Sequence, residues 1–308
     1  MKTTVPAFSD PLKVSIITPS FNQATFIART IESVLSQDWT PLDYVVFDGG
    51  STDGTRAILA KYADQISWVS EKDNGQAHAV NKGIRATKGD IIGWLNSDDI
   101  YYPGTVSTVV DYFSKHPQVD VVYGMADHID VDDHAYQSYL TEPWNFARLQ
   151  EICFLCQPAV FFRRSVVERH GLLDEGLRFC MDYEYWLRLG AAGVSFGYLE
   201  RKLAGSRMYS ENKTLGARLR VHAEINDMFR KHFGRVPDRW IFNYAHVWVE
   251  EHLNPNKQPT RFILKLGRRL ILSLLSVLAG LYWNRRVSPE MLKVVRDWLT
   301  HRQRGQVA

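Results

Sequence analysis

At 308 residues, 45% hydrophobic and 23% charged, the chain has an ordinary globular balance and enough apolar material for a sizeable core. A formal net charge of +3 gives no strongly basic profile, so no nucleic-acid partner is expected. Residues 1–13 contain Pro6, Asp10 and Pro11 and no apolar run, which excludes a secretory signal there and leads to a cytoplasmic expectation.

In chain order, Val14-Ser15-Ile16-Ile17 is a β-branched run closed by Thr18-Pro19, a buried strand entering a loop. Ile27, Ile31, Val34 and Leu35 then recur at helical spacing, and Tyr44 to Phe47 returns to strand character. The alternation predicts a helix over 55–63, a strand over 67–70, a helix over 76–87 and a strand over 90–95. A helix over 103–115, opened by Pro103 in its first turn, leads to a strand over 119–123. This is the β-α-β pattern of a parallel, doubly wound sheet.

Beyond Asp127 the pattern loosens, with a hairpin expected around Asp132-Asp133 and a turn at Glu142-Pro143. A strand over 158–162 and helices over 164–170 and 181–191 follow, a mixed stretch suited to the second half of a cleft. The sequence is helical over 215–233 and again from Arg239, with no internal repeat and no low-complexity linker.

The three cysteines are Cys153, Cys156 and Cys180. A zinc site needs about four ligands, and the Cys153-x-x-Cys156 pair has no second pair at suitable spacing, so reduced, structural thiols are expected.

Polar clusters fall where strands end, the usual location of ligands in open α/β sheets. They are Thr18 to Asn22, Asp48 to Gly54, and Asn96 to Asp99. Singly, Asp48 and Asp53 among glycines would also serve as turn formers or a helix cap; together the three ends converge on one rim. If the last stretch continues its strand, side chains two apart share a face, so Asn96 and Asp98 point one way and Asp99 the other. On the helix from Gln76, Ala77, Val80 and Ile84 form one face, leaving His78, Asn81, Lys82 and Arg85 on a polar face.

The segments VSIITPSFNQATFIARTIESVLSQ, VVFDGGSTDGT, SEKDNGQAHAVNKGIRATKGDIIGWLNSDD and MDYEYWLRL resemble, in order, the signature segments of the family 2 glycosyltransferases of GT-A fold. The resemblance covers roughly residues 12 to 215 and implies a domain over 1–214, with a nucleotide-binding half over 12–125 and an acceptor half over 126–214. It implies an inverting transferase moving a sugar from a nucleoside diphosphate to a hydroxyl of a glycan, and the basic C-terminal tail alone adds a lipid-linked acceptor to that expectation. A divalent metal, Mn2+ or Mg2+, would stabilise the departing diphosphate, and hard cations take oxygen ligands.

By the same resemblance, the D-x-D motif falls on Asn96-Ser97-Asp98, with Asp98 the metal ligand, Asp99 its support and Asn96 a ribose contact. Thr18, Pro19 and Phe21 would border the nucleoside, and Asp48 would accept a hydrogen bond from base or ribose. Asp53 and Lys82 would join the donor site, Lys82 as a donor contact. The Glu-Asp pair that holds the general base falls on Met181-Asp182, so Asp182 is the expected base. Glu184 competes, although on a helix the two lie about 200 degrees apart. Tyr185, Trp186 and Leu189 read as packing. SRMYSENKT stands where many relatives read Arg-x-His-x-x-Ser-Lys-Thr, so Arg207 and Lys213 would meet phosphate while Tyr209 replaces the His.

Three departures, Asn96, Met181 and Tyr209, keep open a catalytically silent sugar-nucleotide-binding protein. A nucleotidyltransferase also uses strand-end acids and a metal, but Thr18 to Thr25 lacks the Gly and Lys of its phosphate loop.

The C-terminal region, 215–308, is expected to be helical, and it is strongly basic at its end. Residues 254–308 hold 11 Lys and Arg against 2 Asp and Glu, a net of +9 that leaves the rest of the chain at −6. Leu270 to Trp283 is uncharged between Arg268-Arg269 and Arg285-Arg286. Its span of about 21 Å falls short of the roughly 30 Å hydrocarbon core. Within 261–286 an interfacial helix with peripheral membrane contact is therefore expected, the alternative being a helix packed on the body or on a second copy in a homo-oligomer.

Overall fold

The computed structural model describes residues 11–210, 212, 216–253 and 262–299, with the backbone alone for 262–266. Lys213 lies outside the described residues. The chain divides into two compact units between Tyr209 and Ser210.

The first unit is built on one sheet of nine strands. Strand β1 (Val14–Ser20) is buried along its whole length, so its sequence shows no apolar–polar alternation. It pairs in parallel with β2 (Leu42–Asp48) and with β4 (Ile91–Trp94), and β2 pairs in parallel with β3 (Ser67–Ser70). Next to β4, the antiparallel β8 (Val160–Arg163) joins it to β6 (Val121–Ile129), and β6 carries β9 (Phe196–Arg207) in parallel. Short β5 (Ile100–Tyr101) closes that end against β9, and β7 (Ala135–Ser138) pairs with β6. The order is β3-β2-β1-β4-β8-β6-β9-β5, and β3, β2, β1, β4, β6 and β9 share one direction, so the sheet is mostly parallel.

Helices α1 (Ile27–Leu35), α2 (Thr55–Lys61), α3 (Gln76–Ala86) and α4 (Thr105–Lys115) follow the alternation read from the sequence. They are joined by α5 (Phe146–Glu151), α6 (Arg164–His170) and α7 (Met181–Ala191). Ile27, Ile31 and Val34 of α1, and Val106, Val109, Val110 and Phe113 of α4, pack into one core with Val14, Ile16, Val46 and Ile91 of the sheet. Helix α3 sits very close to β1, because a Cβ on Gly83 would lie 2.3 Å from Ile17 Cγ2. A larger residue at 83 would push α3 off the sheet, and overpacking of that kind costs typically about 1–3 kcal/mol.

Three elements escaped the sequence reading: α5, β5 and the twelve-residue β9. In β9, the exposed Glu200, Arg201 and Lys202 fall where its register with β6 shifts around Met125, which erases the period of two. Pro103 precedes α4 instead of opening it, because Gly104 at φ +75° makes the turn and the helix begins at Thr105. The expected hairpin is present between β6 and β7, with Asp133 at φ +71° in its tip.

The second unit contains α8 (Arg218–Phe233), α9 (Asp238–His252), α10 (Phe262–Asn284) and α11 (Pro289–Leu299). Its buried residues include Phe229, Trp240, Ile241, Ala245 and Trp283. Among the described residues, no helix is long and apolar enough to cross a membrane.

Candidate active site

Strand register brings the polar ends together. Ser20, Asp48 and Ser70 are direct neighbours across β1, β2 and β3, and the Leu95 N–H bonds Ile17 O at 3.0 Å, so β4 ends on the same side. Asp48 is buried, and its Oδ2 accepts from Ser70 Oγ (2.6 Å), Ser51 N (2.9 Å) and Gly50 N (3.2 Å), while the Ser51 hydroxyl bonds Oδ1. Those donors fold the glycine loop around the carboxylate. Asp53 braces the same loop, accepting from Thr55 N, Thr55 Oγ1 and Ala24 N. Burial works against its ionisation, but the bonds from Thr55 and Ala24 prevail and hold the carboxyl below the usual range.

At the end of β1 the expected nucleoside contacts separate. Phe21 is 60% exposed on the rim, whereas Pro19 is buried. Thr18 is a correction, because its side chain is wholly buried and its hydroxyl meets Tyr44 OH at 3.1 Å inside the core. The Ser20 hydroxyl is buried without a hydrogen-bond partner.

The motif Asn96 to Asp99 is a turn, closed by Asp99 N–H to Asn96 O at 3.1 Å, and not a continuation of β4. Strand alternation therefore does not apply, and Asn96 contacts Asp99 (Nδ2 to Oδ2, 3.3 Å) instead of facing away from it. The Asn96 amide is fully engaged within the protein. Its Oδ1 accepts from Gln76 Nε2 (2.7 Å) and Trp94 Nε1 (2.9 Å), and its Nδ2 also donates to Gln157 Oε1 (2.8 Å). The Thr30 hydroxyl of α1 lies 2.9 and 2.8 Å from the carbonyls of Ser97 and Asp99, fixing the turn from below. Asp99 is 4% exposed, and its Oδ1 accepts the Arg207 N–H at 2.8 Å. Burial and the adjacent Asp98 charge push the Asp99 carboxyl well above the usual range, against the bonds from Arg207 and Asn96. Asp98 is half-buried, and its Oδ2 accepts from Tyr209 OH at 2.9 Å.

Arg207, expected at phosphate, is a second correction. Its side chain has no exposed surface, and its guanidinium reaches inward to Asp98 O (2.7 Å), Asp130 O (2.6 Å), the Asp133 carboxylate and the Phe26 ring. It fastens the tip of the β6–β7 hairpin to the motif turn. Tyr209, just past β9, packs its ring 5.0 Å from Phe26 and is 3.4 Å from Gln23 Nε2 through its hydroxyl. Burial, then the Asp98 charge, raises its phenol, which stays protonated as a donor.

Asp182 stands in the first turn of α7, half-buried, while Glu184 is 1% exposed and held by Arg188 through Nε (2.8 Å) and Nη2 (3.1 Å). Arg188 also bonds the carbonyls of His170 and Leu172, so the Glu184 pair is part of the α7 packing. Burial first, then the charges of Asp99, Cys153 and Asp182, raise the Cys156 thiol well above its usual range. All three cysteines are free thiols. Tyr185, Trp186 and Leu189 are buried, in keeping with packing.

On α3, Lys82 pairs with Glu71 and lies 5.3 Å from the Phe47 ring, beside the end of β2. Asn81 is not on a solvated face; it is 1% exposed and exchanges hydrogen bonds with Leu173 N and O. Among the described residues, one group of three ligand-bearing side chains clusters, namely Asp130, Asp132 and His134 at the hairpin tip. Asp130 Oδ1 there accepts the N–H groups of Asp132 and His134, which lower its carboxyl. That is the hydrogen bonding of an Asp-closed turn. At the motif turn Asp98 presents a half-buried carboxylate, an oxygen ligand of the kind a hard divalent cation takes.

Gln23, Gln76, Gln157 and Tyr209 converge on the motif without having been singled out as contacts. Their sequence positions are remote from it, and only the Tyr209 replacement of a His gave any signal.

A family model described as glycosyl transferase family 2 matches residues 15–171. An uncharacterized glycosyltransferase of Rickettsia typhi is 31% identical over 215 residues, 65% of each chain. The chondroitin synthase of Escherichia coli is 28% identical over 205 residues, 66% of this chain and 30% of that protein. The chain thus spans between 30% and 65% of the length of these curated relatives. Among solved structures, Staphylococcus aureus TarS 1-349 in complex with UDP-GlcNAc superposes with a TM-score of 0.62 at 15% identity, covering 96% of this chain and 93% of that one. The mannosyltransferase PcManGT from Pyrobaculum calidifontis, in complex with GDP-Man and Mn2+, superposes at 0.57 and 19% identity, covering 93% and 83%. The architecture is the GT-A fold, and the chain belongs to glycosyl transferase family 2.

Proposed function

We propose that the chain transfers a sugar, with inversion, from a nucleoside-diphosphate sugar to a hydroxyl of a glycan or lipid-linked acceptor. The observation that carries this reading is the meeting, at one rim, of the aligned ends of β1, β2 and β3 with the Asp98 turn at the end of β4. Family membership and the nucleotide sugars named with the two solved neighbours support it.

In this reading Phe21, Asp48 and Lys82 border the nucleoside and diphosphate. Helix α3 turns its N-terminus toward the motif through Gln76, where its dipole favours negative charge. Asp98 would hold a Mn2+ or Mg2+ ion, which supplies charge stabilisation for the departing diphosphate. Thr18, Asn96, Asp99 and Arg207 act from beneath, shaping the surface on which the donor rests. Asp182 takes the proton of the acceptor hydroxyl, whose oxygen bonds the anomeric carbon as the bond to the phosphate oxygen breaks.

Thermal stabilisation by a panel of sugar nucleotides, with and without Mn2+, tests donor binding, since a ligand that binds only the folded chain raises its melting point. No stabilisation by any donor would remove the reading. Donor binding with no transfer to any hydroxyl acceptor would leave the silent binding protein instead.

A further inference from the structure

Helix α10 is fixed along one side. Trp283 donates to Asp227 Oδ1 at 2.7 Å and stacks edge-on with Tyr244 at 4.9 Å, and the Asn284 amide bonds Val236 N (2.8 Å) and O (2.9 Å). Ser273, Ser276, Ala279, Gly280 and Trp283 are its buried residues among those described. The opposite side is apolar but uncovered, with Leu270, Leu274, Leu278 and Leu281 between 46% and 59% exposed and Tyr282 at 69%. At 100 degrees per residue these five fall within about 120 degrees of one another, so they make one stripe.

Seven of the thirteen large apolar side chains exposed among the described residues lie between Leu270 and Leu299. Apolar surface gathered in this way marks an interaction face. Residues 262–299 also hold seven Lys and Arg against two Asp and Glu, and Arg285 and Arg286 are exposed at the end of the stripe.

We infer that this face docks on an anionic lipid surface, with the leucine stripe in the headgroup–acyl boundary and the arginines on lipid phosphates. Charge decides between occupants. A second copy meeting this face by two-fold symmetry would bring its cations against the same cations, whereas an anionic bilayer complements them. Its uncharged stretch, Leu270 to Trp283, is too short to cross, and its hydrogen bonds to Asp227 of α8 and to Val236 in the α8–α9 connection keep the serine side inward. The inference stands apart from sugar transfer: a chain that floats yet binds no donor fails only the reading above, and one that binds donor yet does not float fails only this one.

The test is flotation of the full chain with vesicles of phosphatidylcholine alone or mixed with phosphatidylglycerol. Recovery with the anionic vesicles should exceed that with neutral ones about tenfold and fall in high salt. The pair Leu274→Ser/Leu278→Ser, on exposed positions, should lower recovery about tenfold with an unchanged melting point. Because that pair also alters the helix, Arg285→Glu/Arg286→Glu gives an independent loss through charge alone. Failure of the wild type to float, equal recovery with neutral vesicles, or wild-type flotation by the leucine pair would each overturn the inference. So would a concentration-dependent dimer that the leucine pair dissolves while no chain floats.

Discussion

The Tyr209 hydroxyl donates to Asp98 Oδ2 at 2.9 Å, across 111 residues of sequence. Tyr209 stands where many relatives carry a His, and it reaches the proposed metal residue through its carboxylate. With one oxygen of Asp98 held by a protonated phenol, the carboxylate has a fixed orientation toward the rim.

Tyr209→Phe should therefore weaken Mn2+ binding about tenfold, the usual size of effect when a partner that orients a metal ligand is lost. The cost in stability should stay near 1 kcal/mol, the net worth of one hydrogen bond. Calorimetric Mn2+ titration beside a melting curve separates the two. Unchanged Mn2+ affinity would show that the contact does not orient the ligand.

Asp98 and Asp99 should respond differently. Asp98→Ala removes a half-buried carboxylate and should abolish metal-dependent donor binding with little change in melting point. Asp99→Ala leaves the Arg207 N–H and the Asn96 amide without their buried acceptor, and should cost about 1–3 kcal/mol of stability. Urea unfolding and Mn2+-dependent donor binding of both variants check the split.

Asn96→Asp would restore the acid of the family motif, yet it should destabilise the metal-free chain. Asn96 Nδ2 now donates to Asp99 Oδ2 and Gln157 Oε1, and a carboxylate there would face two acceptors. A loss of about 2 kcal/mol is expected, with part of it recovered when Mn2+ is added. A melting point unaffected by the substitution would contradict the amide network.

The two α7 acids should also part company. Asp182→Asn should abolish transfer at an unchanged melting point. Glu184→Gln breaks a buried bidentate pair and should cost about 3 kcal/mol, with turnover per folded molecule retained. If Asp182→Asn transfers sugar normally, the base is elsewhere.

The second unit should carry its own pH dependence. Burial, then the Arg218 charge, lowers His222 from 6.5 to about 4, and its ring Nδ1 is buried without a partner. A histidine with a depressed folded pKa is neutral in the fold while the unfolded chain takes up a proton. Stability is therefore full above about pH 6.5 and declines as pH falls toward 4, by at most about 3 kcal/mol. His222→Gln should flatten that slope in urea unfolding between pH 4 and 7.

The sequence alone determined the alternation of β1 to β4 with α1 to α3, because buried parallel strands and amphipathic helices leave strong periodic patterns over short windows. It also placed Asp48, Asp98 and Asp182 in segments whose order and spacing identify the family. The tertiary structure decided what those residues touch. A four-residue turn, closed by Asp99 N–H to Asn96 O, replaced the strand that alternation assumed. Strand β9, masked by its bulge and its charged middle, brought Arg207 under the motif and Tyr209 against Asp98. Glutamines 76 and 157 saturated the Asn96 amide from elements 20 and 61 residues away. Such contacts join residues distant in sequence, and local periodicity carries no information about them, since it records which face a side chain takes and not which partner waits there.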